Sequence, residues 1–285
     1  MYSNDIRGGL DYGLCRYGKS RVRFRGPMPD LTADLLVCLG GTETFGRFHP
    51  DPWPQLLGDR LGAEIANFGQ VNAGLDLFLQ DPEVLRIASG ARLCVMQVIG
   101  AQNMSNRFYS VHPRRNDRFV KASDALMTLY PDVDFSQIAF TGALMTTLFD
   151  TSPERFEVVV REVQVAWVSR MRLILGHLPR PVHLLWFAES APPANARAAL
   201  IPPLKDPSFI TREMLDALSS RIGGVVEIVE PASARSTEGM VFSEFDAMLA
   251  ATMLSATAHD RAAQALSDCL RHLWDARGDR DDASD

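Results

Sequence analysis

The sequence has little of what marks secreted, metal-binding or membrane proteins. Only four of its 285 residues are cysteines. They are widely spaced and two of them lie in apolar runs, so we expect reduced thiols rather than a disulfide framework or a zinc site. No apolar run is long enough to span a bilayer, and the opening residues, MYSNDIRGG, contain no apolar signal core. We therefore expect a cytoplasmic protein with no membrane span, metal or other cofactor.

Positive charge is also scarce overall. The chain has 29 lysines and arginines against 35 aspartates and glutamates, a formal net charge of -6. This balance argues against nucleic acid or a membrane surface as a partner. The length favours one large domain, which we expect over residues 1–275, with a basic N-terminal segment (1–34) and a long loop insertion (104–123). Residues 276–285 are expected to form a disordered tail. The sequence leaves the oligomeric state open.

The stretch LLVCLGGTETFG, residues 35–46, contains the features around which the chain is organised. Its first five residues form an apolar run without alternation, which is typical of a strand buried on both faces. The two glycines that follow permit a tight turn that side chains would obstruct. Thr42, Glu43 and Thr44 then stand at the carboxyl end of the strand, where ligands bind in open α/β sheets. We expect a ligand site there.

Four further apolar runs predict strands near residues 63–67, 93–99, 182–187 and 225–229. Helical patterns separate the runs, and Asp51 is positioned to cap the first predicted helix. The predicted helices cover residues 53–61, 82–89, 124–130, 141–149, 153–178, 211–220 and a pair within 243–274. Strands that alternate with helices predict a parallel sheet covered on both faces. The expected fold is therefore α/β, a three-layer α/β/α sandwich around a five-stranded parallel sheet. The proline-rich residues 191–207 should be irregular.

The turn after the first strand resembles the first signature block of the SGNH (GDSL-type) hydrolase family. That block reads Gly-Asp-Ser-x-Thr-x-Gly and contains the nucleophilic serine. Gly40, Thr44 and Gly46 match it. Gly41 stands where the family has aspartate, and Thr42 stands where it has the serine. An ordinary glycine-rich strand–turn–helix corner is the alternative interpretation of the same residues.

Two later strand ends resemble the second and third blocks of the same family. The loop NFGQVNAG follows the second strand, and Gly69 matches the glycine that offers its N–H to the oxyanion. After the third strand, the family's Gly-x-Asn-Asp corresponds to GAQN, so Gln102 or Asn103 could supply the side-chain donor. The resemblance implies an SGNH/flavodoxin-like sheet of order 2-1-3-4-5 in which Thr42 and these groups converge at one edge. The spelling of all three blocks also resembles an uncharacterised bacterial family, which implies no activity.

The catalytic Asp-x-x-His-Pro of the SGNH family has no counterpart here. Ala258-His259 matches the Gly-His that follows it in the family. Counting back places Met253 at the histidine position and Ala250 at the aspartate position. The resemblance therefore implies the family's architecture without its acid–base pair. Because a threonine hydroxyl needs a base, His112 is a candidate replacement, and Glu43 and Glu238 are others. The expected catalytic set is Thr42, Gly69, Gln102, Asn103 and His112.

The insertion at residues 104–123 is rich in arginine. Arginine side chains suit carboxylate, sulfate or phosphate groups, so this loop favours an anionic ligand beside the third strand. A solvated charge run is the alternative. The alternating segment RVRFR at residues 21–25 is interpreted as a solvated edge strand. The expected ligand-binding residues are Glu43, Thr44, Asn72, Asn106, Arg107, Arg114, Arg115, Arg118 and Glu238.

Two functional hypotheses remain. The first is an SGNH-like protein with a degenerate catalytic site that binds an anionic small molecule or a glycan and is not an ordinary esterase. The second is an ester hydrolase or acyltransferase with a site rebuilt around Thr42. A base within reach of the Thr42 hydroxyl would distinguish them.

Overall fold

A computed structural model describes residues 9–195 and 206–281, and these residues contain seven strands. The strands are β1 Leu35–Gly40, β2 Glu64–Gly69, β3 Leu93–Gln97, β4 Tyr109–His112, β5 Arg115–Ala122, β6 Val182–Ala188 and β7 Gly224–Val229. Five of them form one sheet in the order β2-β1-β3-β6-β7, and every neighbouring pair in it is parallel. Numbered along the chain, these five strands follow the order 2-1-3-4-5, so the predicted topology is confirmed.

Helices cover both faces of this sheet. They are α1 Thr42–Phe45, α2 Trp53–Leu61, α3 Leu75–Leu79, α4 Pro82–Ser89, α5 Asp124–Leu129, α6 Thr141–Thr151, α7 Pro153–His177, α8 Arg212–Asp216, α9 Ala247–Ala250 and α10 Ala256–Asp281. Successive side chains of a strand point to opposite faces. Leu36 and Cys38 accordingly pack in one core with α2 and α10, while Val37 and Leu39 pack in the other with α3, α4 and α7. The predicted three-layer α/β/α sandwich is confirmed.

Two local expectations differ from the structure. Pro52 rather than Asp51 precedes α2 as its cap, and no side chain caps that helix. Helix α10 continues to Asp281, so the backbone is helical beyond the expected start of a disordered tail at residue 276. The central part of the expected irregular segment 191–207 lies outside the described residues, as do residues 1–8 and 282–285. Among the described residues, no helix is long and apolar enough to cross a membrane.

The insertion at 104–123 has its own structure, contrary to the prediction of a loop. Strands β4 and β5 pair as an antiparallel hairpin. Tyr109, Val111 and Phe119 of the hairpin are buried in the larger core, which explains why these residues form strands. The arginines that separate them in the sequence are therefore distributed around a packed hairpin rather than gathered on one loop.

The N-terminal segment has an irregular conformation and packs against the larger core. Cys15 and Phe24 form an isolated antiparallel bridge. The guanidinium of Arg25 is buried and donates hydrogen bonds to the carbonyl oxygens of residues 45, 46, 49 and 50. The prediction of a solvated edge strand is therefore wrong for Arg25, because its side chain binds the main chain of the segment that follows the Thr42 turn. Arg21 and Arg23 are exposed.

Candidate functional site

The Thr42 turn is held in place by Gln97 at the end of β3. The Oε1 atom of Gln97 accepts hydrogen bonds from the Gly41 N–H at 3.0 Å, the Thr44 N–H at 3.1 Å and the Thr44 hydroxyl at 2.6 Å. A side chain at Gly40 would come within 2.7 Å of Gln97, so glycine is required for this close approach. Thr44 is buried, its N–H and hydroxyl are both engaged by Gln97, and it does not line the pocket described below. Gln97 was not among the predicted site residues.

The Thr42 hydroxyl faces a main-chain N–H, but not the predicted one. Its oxygen accepts a hydrogen bond from the Asn72 N–H at 3.1 Å. Asn72 has a φ of 55°, a left-handed conformation that asparagine tolerates better than most residues. The Gly69 N–H is instead used by the Asn67 side chain at 2.8 Å. The main-chain N–H at the Thr42 hydroxyl thus comes from Asn72, three residues after the predicted Gly69.

Gly69 has a packing role. A Cβ atom there would lie 2.2 Å from the Phe45 nitrogen and 2.5 Å from the Thr44 carbonyl carbon. Contacts this short do not occur between real atoms of these kinds, so α1 can approach β2 only because this residue has no side chain.

The two predicted amide donors support the loops around Thr42. Asn103 donates to the Asn72 carbonyl at 3.1 Å and accepts from the Thr141 hydroxyl at 2.5 Å. It thereby fixes the Asn72 loop. The Gln102 amide donates to Asp206 at 3.4 Å. Within the described part of the chain, neither amide is hydrogen-bonded to Thr42, so their predicted role as oxyanion donors is not seen in this geometry.

A cavity of about 400 Å³ opens beside Thr42 at the carboxyl ends of β1, β3 and β6; we call it the Thr42 pocket. Its lining residues are Thr42, Glu43, Gln97, Val98, Phe187, Ala188, Glu189, Asp206, Pro207, Arg235, Thr252 and Leu254. Thr252 and Leu254 flank Met253, the position that the SGNH resemblance gives to the catalytic histidine. The described lining contains no histidine, so no imidazole is available there to take a proton from Thr42.

Glu43 connects the pocket to a buried pair of histidines. Its carboxylate lies 3.7 Å from Nε2 of His259. The Nδ1 atom of His259 accepts the Trp53 N–H at 3.0 Å, so neutral His259 has its proton on Nε2, facing Glu43. The ring of His49 lies against that of His259, with centroids 4.1 Å apart.

Burial dominates the protonation of this cluster. Loss of solvation raises the pKa of Glu43 to about 7, against the opposing influence of His49 and Arg235. The same loss of solvation lowers the pKa of His49 to about 3 and that of His259 to about 3. Near neutral pH both imidazoles are therefore uncharged, and Glu43 exchanges between its acid and its carboxylate. Groups with such pKa values are frequent in functional sites.

The remaining charges of the pocket are mainly acidic. Burial raises the pKa of Asp206, and its hydrogen bond from Gln102 only partly opposes this. Arg235 is paired with Glu189 at 3.0 Å. Three carboxyl groups and one paired guanidinium thus line the same pocket as Thr42.

The predicted anion-binding arginines do not line this pocket. Arg107 is exposed and lies 3.6 Å from Glu162. Arg118 stacks over the Phe140 ring, 4.1 Å from its centroid. Arg114 and Arg115 are exposed at the hairpin turn. The hairpin thus directs these four side chains away from the Thr42 pocket, and they do not come together there as predicted.

Three other predicted residues also lie away from the pocket lining. His112 accepts the Arg114 N–H at 3.2 Å within the hairpin turn and does not line the pocket with Thr42. Asn106 accepts main-chain N–H groups two and three residues ahead, which stabilises its own turn. Glu238 is exposed on a loop. Asn72, by contrast, does reach the site, through its main-chain N–H.

The parallel sheet order is the one that the resemblance to the SGNH (GDSL-type) hydrolases implied, and the described lining of the pocket at the carboxyl ends of its strands contains no histidine. The chain belongs to the family described as "Domain of unknown function (DUF6473)", whose model matches residues 1–274. A comparison with curated proteins gives no match.

Three solved structures align with most of this chain at low sequence identity. A carbohydrate esterase family 2 enzyme plus carbohydrate binding domain from Corynascus thermopiles (Myceliophthora fergusii) has 12% identity and a TM-score of 0.42, covering 87% of this chain and 68% of that one. A protein of the lipolytic G-D-S-L family from Desulfitobacterium hafniense DCB-2 has 16% identity and a TM-score of 0.37, covering 83% and 99%. The lipase Lip_vut3 from a goat rumen metagenome has 11% identity and a TM-score of 0.38, covering 83% and 97%. The likeness concerns the general fold alone.

Proposed function

We propose that the Thr42 pocket binds a hydroxyl-rich ligand, such as a glycan, and that the protein does not act as an ordinary esterase. The observation that carries this proposal is the lining itself, which combines three carboxyl groups and one arginine without an imidazole among the described residues. A serine-hydrolase mechanism needs a base beside the nucleophile. The described lining offers no imidazole for that task, which favours binding over turnover.

The acidic lining determines the kind of ligand. Carboxylates accept hydrogen bonds from hydroxyl groups, and charge-assisted bonds of this type are stronger than neutral ones. An anionic ligand would meet Glu43, Glu189 and Asp206, with a single cation already paired to one of them. A neutral or amino sugar therefore fits this lining better than an acidic one.

Calorimetry with a neutral, an acidic and an amino sugar tests the proposal, using cellobiose, glucuronate and glucosamine as probes. We expect glucuronate to bind most weakly, and Asp206→Asn to weaken the binding of the other two. Glu238→Gln removes an equal charge on an exposed loop and serves as the matched control. Preferential binding of glucuronate, or equal effects of the two substitutions, would contradict the proposal.

Acyl transfer is a second candidate, which the Asn72 N–H supports. This group lies 3.1 Å from the Thr42 oxygen, where it could stabilise an oxyanion formed by attack of that oxygen on an ester carbonyl. Ionised Glu43, in the same pocket, would take the hydroxyl proton and return it to the departing alcohol, leaving an acyl-threonine. Water would then release the acid and restore the hydroxyl. General-base assistance of this kind is worth roughly 10²–10⁴-fold.

Turnover of short-chain aryl esters distinguishes the two candidates. If acyl transfer operates, activity should rise as pH passes through about 7, where Glu43 ionises, and Glu43→Gln should abolish that rise. Thr42→Ser should retain activity and Thr42→Ala should remove it. Absence of turnover in wild type and Thr42→Ser alike would leave ligand binding as the function of the pocket.

A further inference from the structure

A second cavity, about 550 Å³ in volume, lies between the N-terminal segment, the start of α4 and the turn of the β4–β5 hairpin. We call it the hairpin groove. It shares no lining residue with the Thr42 pocket. Any ligand of this groove is therefore held by different side chains from those discussed above.

Three cationic side chains from distant parts of the sequence meet at the hairpin groove. Lys19 and Arg21 come from the N-terminal segment and Arg114 from the hairpin turn. All three residues are exposed. Among the described residues, Lys19 and Arg114 donate hydrogen bonds through their main-chain N–H groups alone, and the guanidinium groups of Arg21 and Arg114 are in no ion pair. The Lys19 ammonium interacts electrostatically with Glu83. Arg107, by comparison, is paired with Glu162.

The acidic residues of the groove are already engaged by the protein. Asp81 accepts the Ser20 hydroxyl at 2.6 Å and the first N–H groups of α4, which it caps. Glu83 lies 3.1 Å from the Arg86 guanidinium and also accepts the Lys19 N–H at 3.3 Å. Because Asp81 has internal partners and Glu83 is shared between Arg86 and Lys19, the guanidinium groups of Arg21 and Arg114 are the cations left to interact with a ligand.

The floor of the groove is apolar. Val22 and Leu77 are 8% and 3% exposed, and Pro82 and Pro113 complete this surface. Apolar area removed from water contributes roughly 25 cal/mol per Å², so a ligand with an apolar portion gains contacts that a bare inorganic anion does not.

We propose that the hairpin groove binds an organic anion. Its phosphate, sulfate or carboxylate group would be held by Lys19, Arg21 and Arg114, and its apolar portion would lie on the floor. Arginine offers paired N–H donors that match the oxygens of such groups. Arg114, which the sequence predicted to bind an anion beside Thr42, is thus assigned to a different site.

Calorimetry with phenyl phosphate, inorganic phosphate and phenol tests this site on the full chain. The test variant combines Arg21→Gln and Arg114→Gln. The matched control combines Arg23→Gln and Arg115→Gln, which removes the same charge from exposed residues of the same two segments that do not line the groove. Thermal unfolding of both variants establishes that each is folded before titration.

We expect phenyl phosphate to bind more tightly than phosphate or phenol, and its affinity to fall as salt concentration rises. The test variant should weaken phenyl phosphate binding by about tenfold or more, since hydrogen bonds to charged groups are lost, and the control by less than about twofold. Equal losses in both variants would mean a diffuse charge effect and overturn the proposal. So would phenol binding as tightly as phenyl phosphate, or no saturable binding up to roughly 10 mM.

Discussion

Glu43→Gln should change how the stability of the fold depends on pH. Burial raises the pKa of Glu43 from its ordinary 4.5 to about 7. The side chain is only 17% exposed, so solvent screens this effect weakly. At about 1.4 kcal/mol per pKa unit, the difference corresponds to about 3 kcal/mol in the free energy of unfolding.

The direction follows from proton binding. Between pH 4.5 and about 7 the folded state holds the Glu43 proton while the unfolded state releases it. The contribution of Glu43 to the free energy of unfolding is therefore fully present below pH 4.5, its pKa in the unfolded chain. It decreases as pH rises and is lost above about pH 7, its pKa in the folded protein. Glutamine does not titrate. The free energy of unfolding of Glu43→Gln, relative to that of wild type, should therefore rise by about 3 kcal/mol from acidic to alkaline pH. His49 and His259 have the opposite dependence, because their pKa values are lowered to about 3, but they are present in both proteins.

Urea unfolding followed by tryptophan fluorescence measures this difference over a pH series. Glu238→Gln, on an exposed loop, is the control and should track wild type at every pH. A stability difference between Glu43→Gln and wild type that stays constant with pH would refute the reasoning, because it would mean that Glu43 is ionised equally in the folded and unfolded states.

Local pattern was sufficient to predict the sheet. The apolar-rich runs identified the five strands, and the resemblance of the strand ends to the SGNH blocks implied their order; the topology confirms both. The hairpin was missed because the arginines of residues 104–123 drew the interpretation toward a solvated loop. Its signal was present in the sequence, since Pro113-Arg114 separates stretches rich in aromatic and β-branched residues.

The site was only partly predictable, because its geometry depends on contacts between distant residues. Thr42 and Glu43 were placed by the strand end alone. The oxyanion donor was assigned to Gly69, whereas the left-handed conformation of Asn72 directs its own N–H at the Thr42 hydroxyl. Gln97 and Asp206 carry no local signature, and only the folded chain brings them to the pocket.

The remaining predictions concern stability and are all measured by denaturant unfolding. Gly69→Ala should cost about 1–3 kcal/mol, because its Cβ would overlap main-chain atoms of α1, while Gly142→Ala, with nothing within 4 Å, should be neutral or stabilising; equal effects would contradict the packing role. Gln97→Leu should cost about 3 kcal/mol, since three donors of the Thr42 turn lose their acceptor; a neutral result would show that the turn holds itself. Arg25→Met should cost about 3–5 kcal/mol and Arg25→Lys should recover less than half of that loss, because an ammonium group cannot reproduce the fork that reaches the carbonyl oxygens of residues 45, 46, 49 and 50. Full recovery by lysine would mean that the positive charge alone, rather than the arrangement of the arginine donors, stabilises the segment from residue 45 to residue 50.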